Sequence, residues 1–324
     1  MTKAIVLRAH GGVDQLVLET RALPPPAPGE LRVRQTAMGV NFHDIYVRTG
    51  LYKTLNLPGI PGIDGIGVVE EIGQGVAGFK KGDRIGYVTM QYGAYATHRN
   101  LPAALAIPLP DMMEDRLAAT VLLKALTVEM LINRVHHLQA GQTLLVQAAA
   151  GGVGRLLVQW AKARGAIVYG TAGSAEKIKI AYAAGCDAVI AYRDVNFVDA
   201  IMDLTKGQGV DVAYDAVGRD TFDGSLQCLA RFGRLINFGQ SSGPVPPFEV
   251  SRLARGSHTV ARPIIFHYLD APALRTEMAR NVFEAFERGW MQASVGTAFA
   301  LEDVGAAHAA LEARSDQGPF ILIP

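Results

Sequence analysis

The fold is decided by the stretch Leu144-Leu145-Val146-Gln147-Ala148-Ala149-Ala150-Gly151-Gly152-Val153-Gly154. A short apolar run leads into a glycine-rich turn. Apolar residues then recur at the spacing of one helix face: Val153, Leu156, Leu157 and Trp160. This order predicts a strand, a tight turn and a helix with one buried side. It matches the dinucleotide-binding pattern G-x-G-x-x-G, with Ala149 at the first glycine position.

Two glycines of this pattern have separate expected roles. Gly151 would let the backbone approach a pyrophosphate, and Gly154 would let the helix pack closely on the sheet. The N-terminus of the helix would offer free N–H groups and a partial positive charge to the anion. An ordinary tight turn is the alternative, but the position of the motif at the first of six predicted strands favours a dinucleotide site.

From Thr143 onward, short apolar runs alternate with helix-like segments. The runs that predict strands are Leu144–Ala148, Ile167–Thr171, Ala188–Ala191, Val212–Asp215, Leu235–Phe238 and roughly His258–Ala261. Alternation of this kind is typical of a parallel sheet covered by helices. Six such strands make a complete doubly wound, or Rossmann, domain.

The first 110 residues or so have a different sequence pattern. Glycine and proline separate short apolar runs there, which predicts a β-rich barrel or sandwich. The tail after residue 264, with two helices and two short strands, is too short for a third domain. We therefore expect an α/β protein in which residues 1–124 and 264–324 form one discontinuous β-rich domain around a Rossmann domain of residues 125–263.

Composition excludes several classes of protein. Apolar residues make up 49% of the 324 residues and charged residues 19%, which rules out a disordered chain. A net charge of +1 without a basic stripe argues against a nucleic-acid or membrane-surface protein. Two cysteines, Cys186 and Cys228, cannot form a disulfide framework. With no apolar run of membrane length and no signal-peptide core, we expect a cytoplasmic protein.

The end of the second predicted strand indicates which dinucleotide binds. NAD sites usually carry an acid there, but the strand ends without one, and Ser174 and Lys177 follow. Lys177 can supply a countercharge to a 2′-phosphate, Ser174 can donate a hydrogen bond, and Tyr192 and Arg193 can complete the pocket. The sequence therefore predicts NADPH. The alternative is that Ser174 only caps a helix and Lys177 is solvated.

Several stretches taken together resemble the quinone oxidoreductase/ζ-crystallin family of zinc-free medium-chain dehydrogenases/reductases. The signature residues are Gly141-Gln142, Leu145, Ala149-Ala150-Gly151-Gly152-Val153-Gly154, Gln159 and Lys162. The segment Asn41-Phe42-His43-Asp44-Ile45-Tyr46-Val47-Arg48-Thr49-Gly50-Leu51-Tyr52 resembles the N-terminal active-site segment of that family. Two later loops are also similar: Asp215-Ala216-Val217-Gly218-Arg219-Asp220 and Phe238-Gly239-Gln240-Ser241-Ser242-Gly243.

The resemblance implies a GroES-like catalytic domain split around the Rossmann domain, NADPH in the cleft between them, and a homodimer built through the Rossmann domains. It also implies residues that contact the cofactor, in addition to Gly151 and Gly154 of the glycine loop and Gly239 of a later loop. Those residues are Asn41, Tyr46, Thr127, Gly152, Val153, Gly173, Ser174, Lys177, Tyr192, Ser241, Ser242 and Arg314. The stretch Pro263-Ile264-Ile265-Phe266-His267 departs from the family by being bulkier and more apolar near the nicotinamide.

No metal site is expected. In zinc-dependent relatives a cysteine ligand comes early and a His-Glu pair about 20 residues later. This chain has Asn41 and Ile63-Asp64 at those places, and an amide and an isoleucine are not zinc ligands.

Without a Lewis acid, a quinone or an activated alkene is a better hydride acceptor than an aldehyde. The oxyanion that forms then needs hydrogen-bond donors, and Asn41, Tyr46 and Tyr52 are the candidate catalytic residues. Each tyrosine could instead be structural. The expected function is an NADPH-dependent quinone reductase. Two alternatives stay open: a reductase of α,β-unsaturated ketones or aldehydes, and a non-enzymatic NADPH-binding structural or RNA-binding protein.

Overall fold

The structure, a computed structural model, describes residues 1–313 and 318–324, and the chain divides into two compact units. Unit 1 consists of Met1–Leu123, Phe266–Ala279 and Ala293–Pro324, and unit 2 consists of Lys124–Ile265 and Arg280–Gln292. The domain limits derived from the sequence stay predictions. In the structure, Arg280–Gln292 lies with unit 2 rather than with the rest of the C-terminal tail.

The elements are numbered in chain order. The strands are β1 (Thr2–Leu7), β2 (Leu16–Arg21), β3 (Glu30–Val40), β4 (Asp64–Ile72), β5 (Arg84–Val88), β6 (His98–Pro102), β7 (Ile107–Pro108), β8 (Thr143–Val146), β9 (Ile167–Ala172), β10 (Ala188–Ala191), β11 (Val210–Asp215), β12 (Leu229–Asn237), β13 (Thr259–Ala261), β14 (Thr297–Ala300) and β15 (Phe320–Ile323). The helices are α1 (Phe42–Thr49), α2 (Asp115–Glu129), α3 (Gly152–Ala163), α4 (Ala175–Ala183), α5 (Phe197–Leu204), α6 (Phe222–Gln227), α7 (Ile265–Leu269), α8 (Pro272–Glu287) and α9 (Val304–Glu312).

Unit 2 contains a six-stranded parallel sheet. The strand order is β10-β9-β8-β11-β12-β13. Because β8 is the first strand of this unit, the order corresponds to 3-2-1-4-5-6, that of a doubly wound nucleotide-binding fold. The predicted α/β class and the predicted Rossmann sheet are therefore confirmed. Ligands of such folds bind outside the carboxyl ends of the strands, where the strand order reverses beside β8.

The core of unit 2 on one face of the sheet shows why the apolar runs form strands. Leu145, Ala213 and Leu235 lie on three neighbouring strands and are fully buried. Phe222 and Leu226 of α6 pack against them. Strands that are covered on both faces are apolar along their whole length, which is the continuous pattern seen in the sequence.

Unit 1 is β-rich. Its larger sheet has the order β14-β15-β3-β4-β5-β7, with β6 also paired to β3, and β1 and β2 form a separate two-stranded sheet. The C-terminal strand β15 pairs antiparallel with β3, and Phe320 lies opposite Val40. The C-terminus thus completes the sheet begun by the N-terminal residues, as the sequence predicts.

One helix boundary differs from the sequence expectation. Apolar spacing predicts a helix from Leu117 to Leu131, whereas α2 ends at Glu129 and a π-helical turn, Met130–Val135, follows. Glu129 is fully buried there and accepts hydrogen bonds from Arg134 and from Asn281 Nδ2. These partners come from outside α2, so helical periodicity alone could not predict the change in winding.

Candidate active site

The glycine loop follows β8 directly. Ala148 takes the left-handed conformation, with φ of 55°, and Gly151 precedes the first turn of α3 in extended conformation. A Cβ atom at Gly154 would lie 2.4 Å from the carbonyl oxygen of Ala148, closer than real Cβ contacts allow. Residue 154 must therefore be glycine for the helix to start this close to the strand.

The start of α3 fits a bound phosphate. The residue before the helix, Gly151, has no side chain that could cap it, and the N–H groups of the first turn lie at the carboxyl edge of the parallel sheet. Lys124 is an additional candidate that sequence reasoning missed. A Cβ at Gly152 would lie 3.0 Å from both Cδ and Cε of Lys124, so this lysine crosses the helix start. The sequence did contain one signal of its role, since Lys124 is a charged residue within an otherwise apolar part of α2.

The end of β9 brings together the residues that were predicted to recognise the adenosine. A Cβ at Gly173 would lie 2.4 Å from the hydroxyl of Tyr192, which therefore rests against this backbone. The hydroxyl of Ser174 accepts a hydrogen bond from the Lys177 N–H at 3.3 Å and caps α4. Capping uses a lone pair, so the hydroxyl can still donate. Lys177 is half-buried in the first turn, and no acidic residue ends β9.

A buried polar network joins three strand ends beneath the loop. Thr171 donates to Gln147 Oε1 at 2.6 Å, and Gln147 donates to Ser225 at 3.0 Å. Asp215 accepts from the Thr221 hydroxyl and from the Gly218 N–H at 2.9 Å. Burial raises the pKa of Asp215, while these hydrogen bonds lower it. The network fixes the carboxyl ends of β8, β9 and β11. Sequence reasoning missed it because its members are far apart in the chain.

The two later loops bind each other. The hydroxyl of Ser242 donates to the Val217 carbonyl at 2.8 Å and accepts from the Asp220 N–H at 3.0 Å. The Ser241 N–H donates to the Ala216 carbonyl at 3.2 Å. A Cβ at Gly239 would lie 2.5 Å from the same Ala216 oxygen, which requires glycine at position 239. The contribution of these residues to cofactor binding stays a prediction.

In unit 1, Asn41 lies between β3 and α1 and is buried. Its amide Nδ2 donates to Oδ1 of Asp64 at 2.7 Å, and its backbone N–H donates to Oδ2 of Asp44 at 2.9 Å. A Cβ at Gly39 would lie 2.3 Å from Oδ2 of Asp64, so the small residue makes room for this carboxylate. The amide of Asn41 is therefore held in one orientation.

Asp44 belongs to a fully buried group that the sequence did not reveal. The hydroxyl of Tyr95 donates to Asp44 at 3.0 Å and lies 3.2 Å from Nε2 of His308. Burial, reinforced by the neighbouring Asp64 and opposed by the hydrogen bonds, raises the pKa of Asp44 to about 7. Burial, with a smaller contribution from Arg48, lowers the pKa of His308 to about 3. This carboxyl group titrates near neutral pH, and the imidazole stays neutral there.

An aromatic cluster surrounds the start of α1. The rings of Tyr46 and Tyr52 meet edge to face with centroids 5.1 Å apart. His43 contacts Tyr52 and Phe266 at centroid distances of 5.4 and 5.5 Å, and its Nε2 lies 3.0 Å from the hydroxyl of Tyr92. Burial lowers the pKa of His43 to about 4, so this ring is neutral at pH 7. The apolar residue Phe266, noted from the sequence, is thus buried in this cluster.

The candidate site residues divide between the two units. Asn41, Tyr46 and Tyr52 belong to unit 1, whereas Thr127 and the glycine-loop residues belong to unit 2. Arg314 lies outside the described residues.

Among the residues that the structure describes, no group of three histidine, cysteine or acidic side chains could hold a metal ion. Within the same residues, no helix combines the length and apolarity needed to cross a membrane.

Comparison with known proteins identifies both parts of the chain. Residues 27–111 match the family described as alcohol dehydrogenase GroES-like domain, and residues 152–281 match the family described as zinc-binding dehydrogenase. A quinone oxidoreductase of Pseudomonas aeruginosa is 41% identical over an alignment of 327 residues that covers 100% of both chains. The chain belongs to the quinone oxidoreductase family.

Other members of the quinone oxidoreductase family support the assignment. The crystal structure of the Escherichia coli quinone oxidoreductase, a complex with NADPH, superposes with a TM-score of 0.96 at 38% identity and covers both chains completely. A 2-haloacrylate reductase of Burkholderia sp is 36% identical, covering 100% of this chain and 99% of that protein. The match to a GroES-like domain confirms the expected class of the β-rich part.

Proposed function

We propose that this protein is an NADPH-dependent quinone reductase that transfers a hydride without zinc. The observation that carries the proposal is the end of β9, where no acidic residue closes the strand and Ser174 and Lys177 lie at the start of the next helix. The full-length similarity to quinone oxidoreductases supports the choice of acceptor.

The residues of unit 2 fit NADPH, which supplies the hydride when it is bound. Lys177 and Ser174 would hold the 2′-phosphate by charge-assisted hydrogen bonds, with Gly173 and Tyr192 lining the same end. Gly151, Gly152, Val153 and Gly154 would hold the pyrophosphate at the start of α3. The remaining proposed contacts are Asn41, Tyr46, Thr127, Gly239, Ser241, Ser242 and Arg314.

The acceptor would be handled by polar groups of unit 1. Asp64 accepts one N–H of the Asn41 amide and so orients it, and the second N–H of that amide would donate a hydrogen bond to the oxyanion that forms on the reduced acceptor. Tyr46 and Tyr52 would donate or relay a proton at their phenol oxygens. Zinc independence is supported by the donor set, since Asn41 and Ile63 stand where zinc-dependent relatives have a cysteine and a histidine.

Reduction of activated alkenes is a second candidate function. The similarity to a 2-haloacrylate reductase over the whole chain favours it. Both acceptor classes are electron-poor and develop negative charge on oxygen after hydride addition, so the same donors would serve either reaction.

We also propose a cytoplasmic homodimer built through the Rossmann units. Strand β13 lies at one edge of the sheet of unit 2, where its unpaired backbone groups could pair with a second copy. Both cysteines, Cys186 and Cys228, are free thiols and buried, which fits a reducing compartment. Sedimentation at several concentrations would test the dimer.

The decisive experiment follows NADPH oxidation with 1,4-benzoquinone, 9,10-phenanthrenequinone, 2-chloroacrylate and an alkenal at one fixed NADPH concentration. We expect the quinones to turn over fastest and a chelator to leave the rate unchanged. Faster turnover of an alkene would favour the second function. Tight NADPH binding without turnover of any acceptor would contradict both, and loss of the rate with the chelator would contradict zinc independence.

A further inference from the structure

Unit 1 contains a depression of about 440 Å³ that none of the proposed cofactor or acceptor residues lines. It lies beside β1, β2 and β6. Its polar walls include Thr2, Arg21, His98 and Arg99, and its apolar walls include Leu23 and Ile60. A concave site of this size with convergent polar groups and an apolar side is of the kind that binds small organic molecules.

Arg99 gives the depression its chemical character. The side chain is 8% exposed, and its guanidinium lies 4.7 Å above the ring of Tyr87. Its Nη1 is buried and has no hydrogen-bond partner among the described residues, its Nε lies 3.5 Å from the Asn100 carbonyl, and its guanidinium also forms a hydrogen bond with the Tyr87 side chain. Arg99 takes part in none of the ion pairs among residues 1–313 and 318–324. A buried cation without a carboxylate partner is energetically unfavourable unless an anion joins it.

The rim adds positive charge. Arg21 lies 3.5 Å from Glu19, and Glu19 is also paired with Arg8 at 2.6 Å, so two guanidinium groups share one carboxylate. His98 lies 3.4 Å from Glu70, which Arg34 neutralises at 3.0 Å. The carboxylates next to the depression are therefore already balanced, and the charge of Arg99 is not.

We propose that this depression is a binding site for a small organic anion, a carboxylate with a short apolar body. The carboxylate would pair with Arg21 and with the part of the Arg99 side chain that lines the depression, since guanidinium donors match the geometry of a carboxylate. The body would lie against Leu23, Ile60 and the methyl groups of Ala22 and Ala96. The site is separate from the proposed catalytic residues, so its occupant would be an effector rather than a substrate.

Calorimetric titration of the NADPH-loaded protein with benzoate tests this site. We expect Arg99→Met to weaken benzoate binding about tenfold or more, because a charge-assisted hydrogen bond is lost. Arg21→Ala should weaken it several-fold. Arg8→Ala is the matched control, since Arg8 pairs with the same Glu19 but does not line the depression. This variant should stay within about twofold of the wild-type affinity.

Arg99 packs on Tyr87, so its replacement can disturb the fold. Leu23→Trp therefore provides an independent test, because it fills the apolar side and should abolish benzoate binding while quinone reduction continues. The site is disproved if benzoate does not bind, or binds equally well in the Arg21→Ala and Leu23→Trp variants. Inorganic phosphate that binds as tightly as benzoate would overturn the organic character of the ligand.

Discussion

Asn41 donates a hydrogen bond from its amide to Oδ1 of Asp64 at 2.7 Å, and both side chains are buried. The carboxylate can accept but not donate, so the Asn41 amide must present its nitrogen to Asp64 and its oxygen elsewhere. Gly39 leaves the space that the carboxylate needs. Two residues 23 positions apart thus define one side-chain orientation.

Replacing this carboxylate tests the orientation. Asp64→Asn permits either flip of the Asn41 amide, and we expect kcat for benzoquinone to fall about tenfold while KM for NADPH changes much less. Removal of the negative charge should also lower the pKa of Asp44, since Asp64 helps to raise it. Glu71→Gln, on the exposed part of the same strand, is the control. It should leave kcat for benzoquinone and the pKa of Asp44 unchanged. An unaltered kcat in Asp64→Asn would show that the orientation has no catalytic role.

Lys177 is expected to distinguish the two nicotinamide cofactors. Lys177→Met should raise KM for NADPH about tenfold or more by removing the countercharge of the 2′-phosphate, and should change KM for NADH less than about twofold. Lys179→Met is the control, because Lys179 lies two residues further along α4 with 77% of its side chain exposed. Steady-state rates with both cofactors measure the difference. Equal losses with NADPH and NADH would remove the argument for a 2′-phosphate.

Replacement by alanine should destabilise the protein more at Gly154 than at Gly152. Gly154→Ala places Cβ against backbone oxygen that cannot move away, and we expect a loss of about 1–3 kcal/mol in the free energy of unfolding with much weaker NADPH binding. Gly152→Ala meets only the flexible chain of Lys124, so its loss should be smaller. Denaturant unfolding and NADPH fluorescence titration measure the two effects. A larger loss in Gly152→Ala would contradict the close packing of Gly154 against the Ala148 carbonyl.

Asp44 should make stability depend on pH in an unusual direction. With a pKa near 7 in the folded protein and 3.8 ordinarily, Asp44 binds more protons when folded between about pH 4 and pH 7. Its contribution to the free energy of unfolding therefore falls as the pH rises through that window, by up to about 1.4 kcal/mol per pH unit. His43 and His308, with lowered pKa values, act in the opposite sense because they resist protonation as the pH falls.

The difference between the Asp44→Asn variant and the wild type isolates this carboxyl group. We expect the variant to gain stability relative to the wild type as the pH rises from 5 to 8, measured by thermal unfolding at each pH. Asp111→Asn is the control, because it removes a carboxyl group from an exposed position. A constant difference for Asp44→Asn would mean that this group ionises normally in the folded protein.

The sequence by itself determined the Rossmann sheet, the glycine loop and the return of the C-terminus to the β-rich part. These features depend on local order: the apolar periodicity of each strand, the glycines that follow β8, and the missing acid after β9. Ser174 capping α4 is likewise a local contact, made within four residues.

Only the tertiary structure revealed the pairing of Asn41 with Asp64, the Asp44–Tyr95–His308 group, the network around Gln147 and the unpartnered Nη1 of Arg99. The hydrogen bonds of Asn41 with Asp64, of Gln147 with Thr171 and Ser225, and of Tyr95 with Asp44 and His308 join residues that are 23 to 213 positions apart. No periodicity relates such positions, because sheet pairing and loop packing bring them together. Burial then sets the ionisation of Asp44 and His308, which the amino-acid types alone do not specify.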